Sequence, residues 1–156
     1  MALKLTRADD YAVRSMIHLA CLPEGSRAMK DEIAAAQSIP SSFMSKVLRS
    51  LVRAGLLRST RGVNGGFALA RPPTEISMLD IVEAVEGPLS LADCVPDPRG
   101  CKWARDCPAA PVWMSVQDRV KEILGSTTLE TLISTPRKNG RVVQMSGRTP
   151  PSSKPR

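Results

Sequence analysis

At 156 residues and a formal net charge of +7, the chain has room for one domain with its own core and an appendage. Hydrophobic residues at 42% are globular in amount, but aromatics at 3% leave the core to Leu, Val, Ile, Ala and Met. No run approaches the roughly 18 to 20 apolar residues of a membrane span, and no apolar stretch follows the opening Met-Ala-Leu-Lys-Leu-Thr-Arg, so neither a spanning segment nor a secretory leader is expected. A cytoplasmic, reducing setting follows as the expectation, and it disfavours structural disulfides among Cys21, Cys94, Cys101 and Cys107.

Thr6-Arg-Ala-Asp9 reads as a capping-box variant that opens a helix running to about Cys21, with Ala12, Val13, Met16, Ile17, Leu19 and Ala20 as its apolar face. Pro23-Glu-Gly25 breaks it. A short helix follows over about residues 29–36, with Ile33 and Ala34 facing inward. After the turn at Gln37 to Ser41, a second helix spans about Ser42 to Ala54, where Phe43, Val47, Leu48 and Leu51 recur at helical spacing and Gly55 ends the run. Two short helices joined by a turn form a helix-turn-helix candidate, a pattern that many helical hairpins share.

Leu56 to Arg61 then reads as a strand, Gly62 to Gly66 as a glycine-rich tip and Phe67 to Ala70 as the returning strand, so the helix pair is followed by a wing. Without a following Lys-Ser/Thr, those glycines do not make a nucleotide phosphate loop. Ser77 caps another helix with Ile81, Val82 and Val85 on its inner side, ending at Gly87-Pro88. Beyond Pro111 a longer helix carries Val112, Trp113, Val116, Val120, Ile123 and Leu124 with a period near 3.6. Because the first half already closes a compact unit, a dimer seam is the preferred use of this stripe over intrachain core. Thr127 and Glu130 are expected to cap a last turn through Ile133.

Three cysteines, Cys94, Cys101 and Cys107, fall within fourteen residues of a loop rich in Pro, Gly and charge, a poor core segment. Thiolates on a polar loop are the ligands that soft metals and iron–sulfur clusters need. Charge is divided along the chain. Residues 1–71 hold eleven Lys/Arg against five Asp/Glu (+6), residues 72–135 five against ten (−5), and residues 136–156 six against none (+6). A basic first half suits a polyanion. The Pro- and Ser-rich end reads as a basic disordered tail, which serves solubility or grips DNA.

These residues together resemble the Rrf-two family of winged-helix iron–sulfur transcription regulators, the IscR-, NsrR- and RirA-like proteins. The resemblance covers about residues 1–135. It rests on Leu5-Thr6-Arg7 with Asp10-Tyr11-Ala12-Val13-Arg14, on the wing string Arg61-Gly62-x-x-Gly65-Gly66, on Ile76 to Glu83, and on the cysteine trio before a long helix. It implies a mainly α fold with a small β-hairpin wing: a winged helix-turn-helix domain (1–87), a cluster-binding cysteine loop (88–110), a dimerisation helix region (111–135) and a basic tail (136–156). It further implies a homodimer on a pseudo-palindromic double-stranded operator. A [2Fe–2S] or [4Fe–4S] cluster on Cys94, Cys101 and Cys107 would sense nitric oxide, redox state or iron supply and control repression.

IscR-like members take a fourth ligand from a histidine three residues past the last cysteine, where this chain has Ala110. NsrR-like members use a first-helix aspartate, and the matching residue is Asp10. The bland alternative for Asp9 and Asp10 is favourable charge in a first helical turn. His18 is expected at the surface and Cys21 as a small core filler.

A winged helix-turn-helix lays its second helix in the major groove while the wing reaches the backbone or minor groove. The candidate DNA contacts are Ser41, Ser42, Ser45, Lys46 and Arg49 from the helix and Arg58, Thr60, Arg61 and Asn64 from the wing. Lys46, Arg49 and Arg58 are expected on phosphates, Ser42, Ser45 and Lys46 near base edges, and Arg61 in the minor groove. Zinc or thiol–disulfide chemistry on the same cysteines is the alternative regulator, and an iron–sulfur carrier a more distant one. One histidine and no nucleophile–base pair leave no catalytic constellation, so no enzyme is expected.

Overall fold

The computed structural model describes residues 6–63, 65–92, 101–102 and 106–135. Helix α1 (Arg7–Ala20) begins at a complete capping box: Thr6 Oγ1 accepts from Asp9 N, and Asp9 Oδ2 accepts from Thr6 N at 2.9 Å. The Thr6 hydroxyl also lies 2.7 Å from Glu86 Oε1, tying the start of α1 to the end of a later helix. Ala12, Met16 and Leu19 form its buried stripe. Helix α2 (Lys30–Gln37) buries Ile33 and Ala34 and ends at Ser38, held left-handed at φ 53°. Helix α3 (Ser41–Arg53) follows after three residues and buries Met44, Val47, Leu48 and Leu51.

Gly55, at φ +72°, turns the chain out of α3 into strand β1 (Leu57–Thr60), which pairs antiparallel with β2 (Gly66–Leu69), Leu57 opposite Leu69 and Thr60 opposite Gly66. The hairpin is not free-standing. Ala28 N and Phe67 O, and Phe67 N and Ala28 O, exchange hydrogen bonds of 3.0 and 2.9 Å, which anchors the wing to the segment entering α2. A single 3-10 turn (Pro73–Glu75) leads to α4 (Met78–Glu86), whose cap is a second box formed by Ser77 and Asp80.

Helix α5 (Ala110–Ser126) packs against α4, and the short α6 (Leu129–Ser134) packs against α1 and the 3-10 turn. Leu129 is fully buried among the residues of α1, α3 and α4, and Leu129 N donates to Ile76 O while Met78 N donates to Thr127 O. The winged domain is therefore closed by a segment far downstream of the wing.

Several expectations need correction. The last helix is capped by Thr128, whose side chain accepts from Thr131 N, and not by Thr127. Phe43 is exposed and Met44 takes the core place, one step round the helix. Phe43 instead meets the Tyr11 ring edge-on at 5.9 Å between centroids. His18 is buried and Cys21 exposed, the reverse of the expectation. The cause is that α1 is covered on more than one side, by α2 as well as by α3, α4 and α6, so its buried arc includes Ser15 and His18. Cys21 is the C-cap, already past the packed stripe.

Candidate nucleic-acid interface and cysteine loop

One side of α3 is core and the other is polar and exposed. Ser42, Lys46, Arg49 and Arg53 follow one another at spacings of four, three and four, opposite the buried Met44, Val47, Leu48 and Leu51. Arg53, not among the candidate contacts named from the sequence, continues the same stripe one turn beyond Arg49. Along this face Ser45 Oγ donates to Ser41 O at 3.2 Å, and Arg49 Nε donates to Ser45 O at 3.3 Å. These bonds hold both side chains along the helix. Ser41 Oγ donates to Asp31 Oδ1 of α2 at 2.7 Å. That bond, with Lys30 Nζ at 3.4 Å, holds the Asp31 carboxyl below its ordinary range.

On the wing, Thr60 and Arg61 are exposed. Arg58 Nη2 donates to Ala70 O at 2.8 Å across the base of the hairpin, so part of that guanidinium frames the wing. Asn64 lies outside the described residues. The glycine pair of the tip has a steric cause. A Cβ on Gly65 would sit 2.3 Å from Thr60 O, and one on Gly66, at φ +129°, would sit 2.7 Å from Ala28 O. The string Arg61-Gly62-x-x-Gly65-Gly66 thus sets how closely the wing folds back on itself and on the α2 entrance.

The thiols of Cys101 and Cys107 are half-buried and in no disulfide, just ahead of α5; Cys94 falls in residues 93–100, outside the described set. Cys107 lines a shallow cleft of about 730 Å³ with Ala110, Pro111, Met114, Ser115 and Asp118. The loop is moored at its start by Gln117, a buried amide on α5 whose Oε1 accepts from Leu91 N at 3.1 Å. In donor chemistry, two half-buried thiols on one short loop, with a third cysteine in the same loop, fit a soft metal or an iron–sulfur centre. Among the described residues, no group of three or more His, Cys, Asp or Glu side chains is gathered closely enough to hold a metal.

Asp10 is exposed on α1, and its Oδ2 lies 3.3 Å from Arg14 Nη1. The other Arg14 terminal nitrogen donates to the carbonyl oxygen of Gln37, the last residue of α2. A carboxylate at the start of α1 is thereby connected, through one guanidinium, to the turn that leads into α3. Sequence spacing signals Asp10–Arg14 as an i, i+4 pair, but the reach to Gln37 has no local signal.

On α5, Val112, Trp113, Met114, Val116 and Ile123 are all exposed, an apolar surface that nothing among the described residues covers. No helix among the described residues is long and apolar enough to cross a membrane.

The sequence model of the Rrf2 family, described as iron-dependent transcriptional regulator, matches residues 5–135. The HTH-type transcriptional regulator CymR of Bacillus subtilis is 33% identical over 133 residues, which cover 85% of this chain and 91% of CymR. The solved structure of that protein, described as the global cysteine regulator of B. subtilis, superposes with a TM-score of 0.68 at 32% identity, covering 83% of this chain and 95% of that one. Staphylococcus aureus CymR in its oxidised form gives a TM-score of 0.67 at 28% identity, over 85% and 98% of the two chains. IscR of T. potens gives 0.68 at 28% identity, over 92% and 93%.

Proposed function

Because this chain belongs to the Rrf2 family of iron-dependent transcriptional regulators, we propose that it is a homodimeric cytoplasmic repressor whose grip on a pseudo-palindromic operator answers to an iron–sulfur centre. Family members are DNA-binding transcriptional regulators, not enzymes, and the winged-helix fold is shared with the solved relatives. One juxtaposition carries the finer reading. The loop bearing Cys101 and Cys107 runs directly into α5, the helix whose exposed apolar side suits a second copy of the chain. A change in that loop therefore acts at the joint between two winged domains.

In this reading residues 1–87 read DNA, 88–110 hold the cofactor and 111–135 carry the dimer seam, while the basic tail, 136–156, lies outside the described residues. Cys94, Cys101 and Cys107 supply thiolates, and Asp10, contributed by the second copy, supplies a carboxylate. A cluster there provides a centre that reacts with nitric oxide and oxidants. The protein's own part is the connection already described. Asp10 cannot serve a ligand role and pair with Arg14 in full at once, and Arg14 holds the carbonyl of Gln37 in the helix-turn-helix turn. Ser41, Ser42, Ser45, Lys46 and Arg49 of α3, with Arg58, Thr60, Arg61 and Asn64 of the wing, face the operator.

A thiol-based reading is favoured by the similarity to CymR, described as a cysteine regulator and solved in an oxidised form. Zinc, or a disulfide among the same three cysteines, would then replace the cluster.

Anaerobic purification separates the two. The cluster reading expects brown protein with iron and acid-labile sulfide, and a colourless, folded dimer for Cys101→Ala. Stoichiometric zinc, or colourless protein that gains and loses a disulfide, selects the alternative. Duplexes recovered by the protein from a random library serve as the DNA probe. Equal affinity of loaded and stripped protein for them, at matched salt, refutes regulation by the cofactor.

A further inference from the structure

The hydrogen bond between Ser41 and Asp31 has a consequence for base recognition. A serine hydroxyl ordinarily donates or accepts, so in a major groove it is indifferent to which base it meets. Here its only hydrogen is directed to Asp31 Oδ1 at 2.7 Å. Toward solvent the Ser41 oxygen therefore offers lone pairs alone. Asp31 Oδ1 also takes Lys30 Nζ at 3.4 Å, so both neighbouring donors converge on that one oxygen, which leaves Oδ2 for another partner. The Asp31 side chain is 78% exposed.

Ser41 is the first residue of α3, at the end of a recognition helix from which base edges are read. Two acceptors set side by side at that end are unsuited to phosphate, itself an acceptor and an anion. Their match is an amino hydrogen. The major groove displays these on adenine N6 and cytosine N4, while guanine and thymine present keto oxygens at the corresponding places.

We propose that Asp31 and Ser41 form a specificity pair that reads an amino-bearing base, adenine or cytosine, at one operator position and rejects guanine and thymine there. Asp31 is the residue that sets the polarity of Ser41, and Lys30 offsets its charge beside the DNA backbone. The inference rests on the reading of α3 as the groove-facing helix and adds to it the chemistry of one base contact. Asp31 lies on α2, outside the residues that sequence reading assigns to the interface.

Selection of full-length protein against a randomised duplex library tests it, with Asp31→Asn and Ser41→Ala beside the parent. In Asp31→Asn the amide oxygen must face Ser41 and Lys30, both donors, so the NH2 group replaces Oδ2 on the groove side. The parent should show one half-site position enriched in adenine or cytosine over guanine or thymine by between about fivefold and about a hundredfold. Asp31→Asn should shift that position toward guanine or thymine, and Ser41→Ala should flatten it, with the rest of the motif kept. A motif identical at every position in the parent and Asp31→Asn overturns the pair while leaving the DNA-reading function intact. Recovery of no preferred sequence by the folded parent overturns both.

Discussion

At Gly66 and His18 the surroundings constrain what can replace the residue. Gly66 has φ +129° and the carbonyl of Ala28 where a Cβ would go, and the next residue, Phe67, makes both hydrogen bonds to Ala28. Gly66→Ala must push the wing off the α2 entrance, at a cost of about 1–3 kcal/mol. Thermal unfolding should move down by several degrees, and an unchanged midpoint would show that the wing is not anchored there. His18 is 7% exposed, and its burial lowers the imidazole pKa below 6.5 against a weaker opposing pull from Glu32. The unfolded chain therefore binds the proton more readily than the folded one. The stability tied to the neutral ring is complete above 6.5 and is lost as pH falls through the lowered folded value. Denaturant midpoints should drop on acidification more steeply in the parent than in His18→Gln. Parallel curves would remove His18 as the cause.

At the level of elements, caps and ends are determined locally and faces are determined by neighbours. The boxes Thr6/Asp9 and Ser77/Asp80 each satisfy backbone donors within one turn, and the Thr6–Glu86 contact brings the start of α1 to the end of α4. Helix α5 differs from the rest. Its only buried residue is the polar Gln117, while Val112, Trp113, Met114, Val116 and Ile123 stand in solvent. An apolar stripe that the described residues leave uncovered suits the symmetric partner proposed above. Trp113→Glu should weaken dimerisation by on the order of 2–4 kcal/mol, as for a central interface aromatic. Sedimentation would read this as a monomer at concentrations where the parent is paired, with helix content kept. A dimer of unchanged strength would place the seam elsewhere.

Over the whole molecule, the charge division acquires a geometry. The basic first half supplies Lys46, Arg49, Arg53, Arg58 and Arg61, all exposed on α3 or the hairpin, while the acidic stretch contains all of α4 and α5. DNA binding should therefore weaken steeply with salt through release of counterions. Lys46→Ala is expected to reduce the slope of log affinity against log salt by about 1 and to weaken binding to all sequences alike. A loss confined to one sequence, with the slope kept, would reassign Lys46 from phosphate to base. If a cluster is bound as proposed, its state is expected to bias the recognition turn through the Asp10–Arg14–Gln37 connection by a coupling of about 1–3 kcal/mol, read as the ratio of DNA affinities of loaded and stripped protein.

What the amino-acid order alone determined is what acts over three or four residues: both capping boxes, the end of α3 at Gly55, the glycines of the wing and the polar-against-apolar division of α3. The family resemblance is written in the same short strings, and the family match over residues 5–135 bears it out. Tertiary structure decided everything that depends on a second element. It buried His18 and exposed Cys21, because α1 is enclosed by four helices. It brought Leu129 back into the winged core across more than forty residues from α4, and it joined Asp31 to Ser41 and Arg14 to Gln37. Periodicity reports one face of one helix. Which side chains meet across elements is set by packing, and packing has no signature in local spacing.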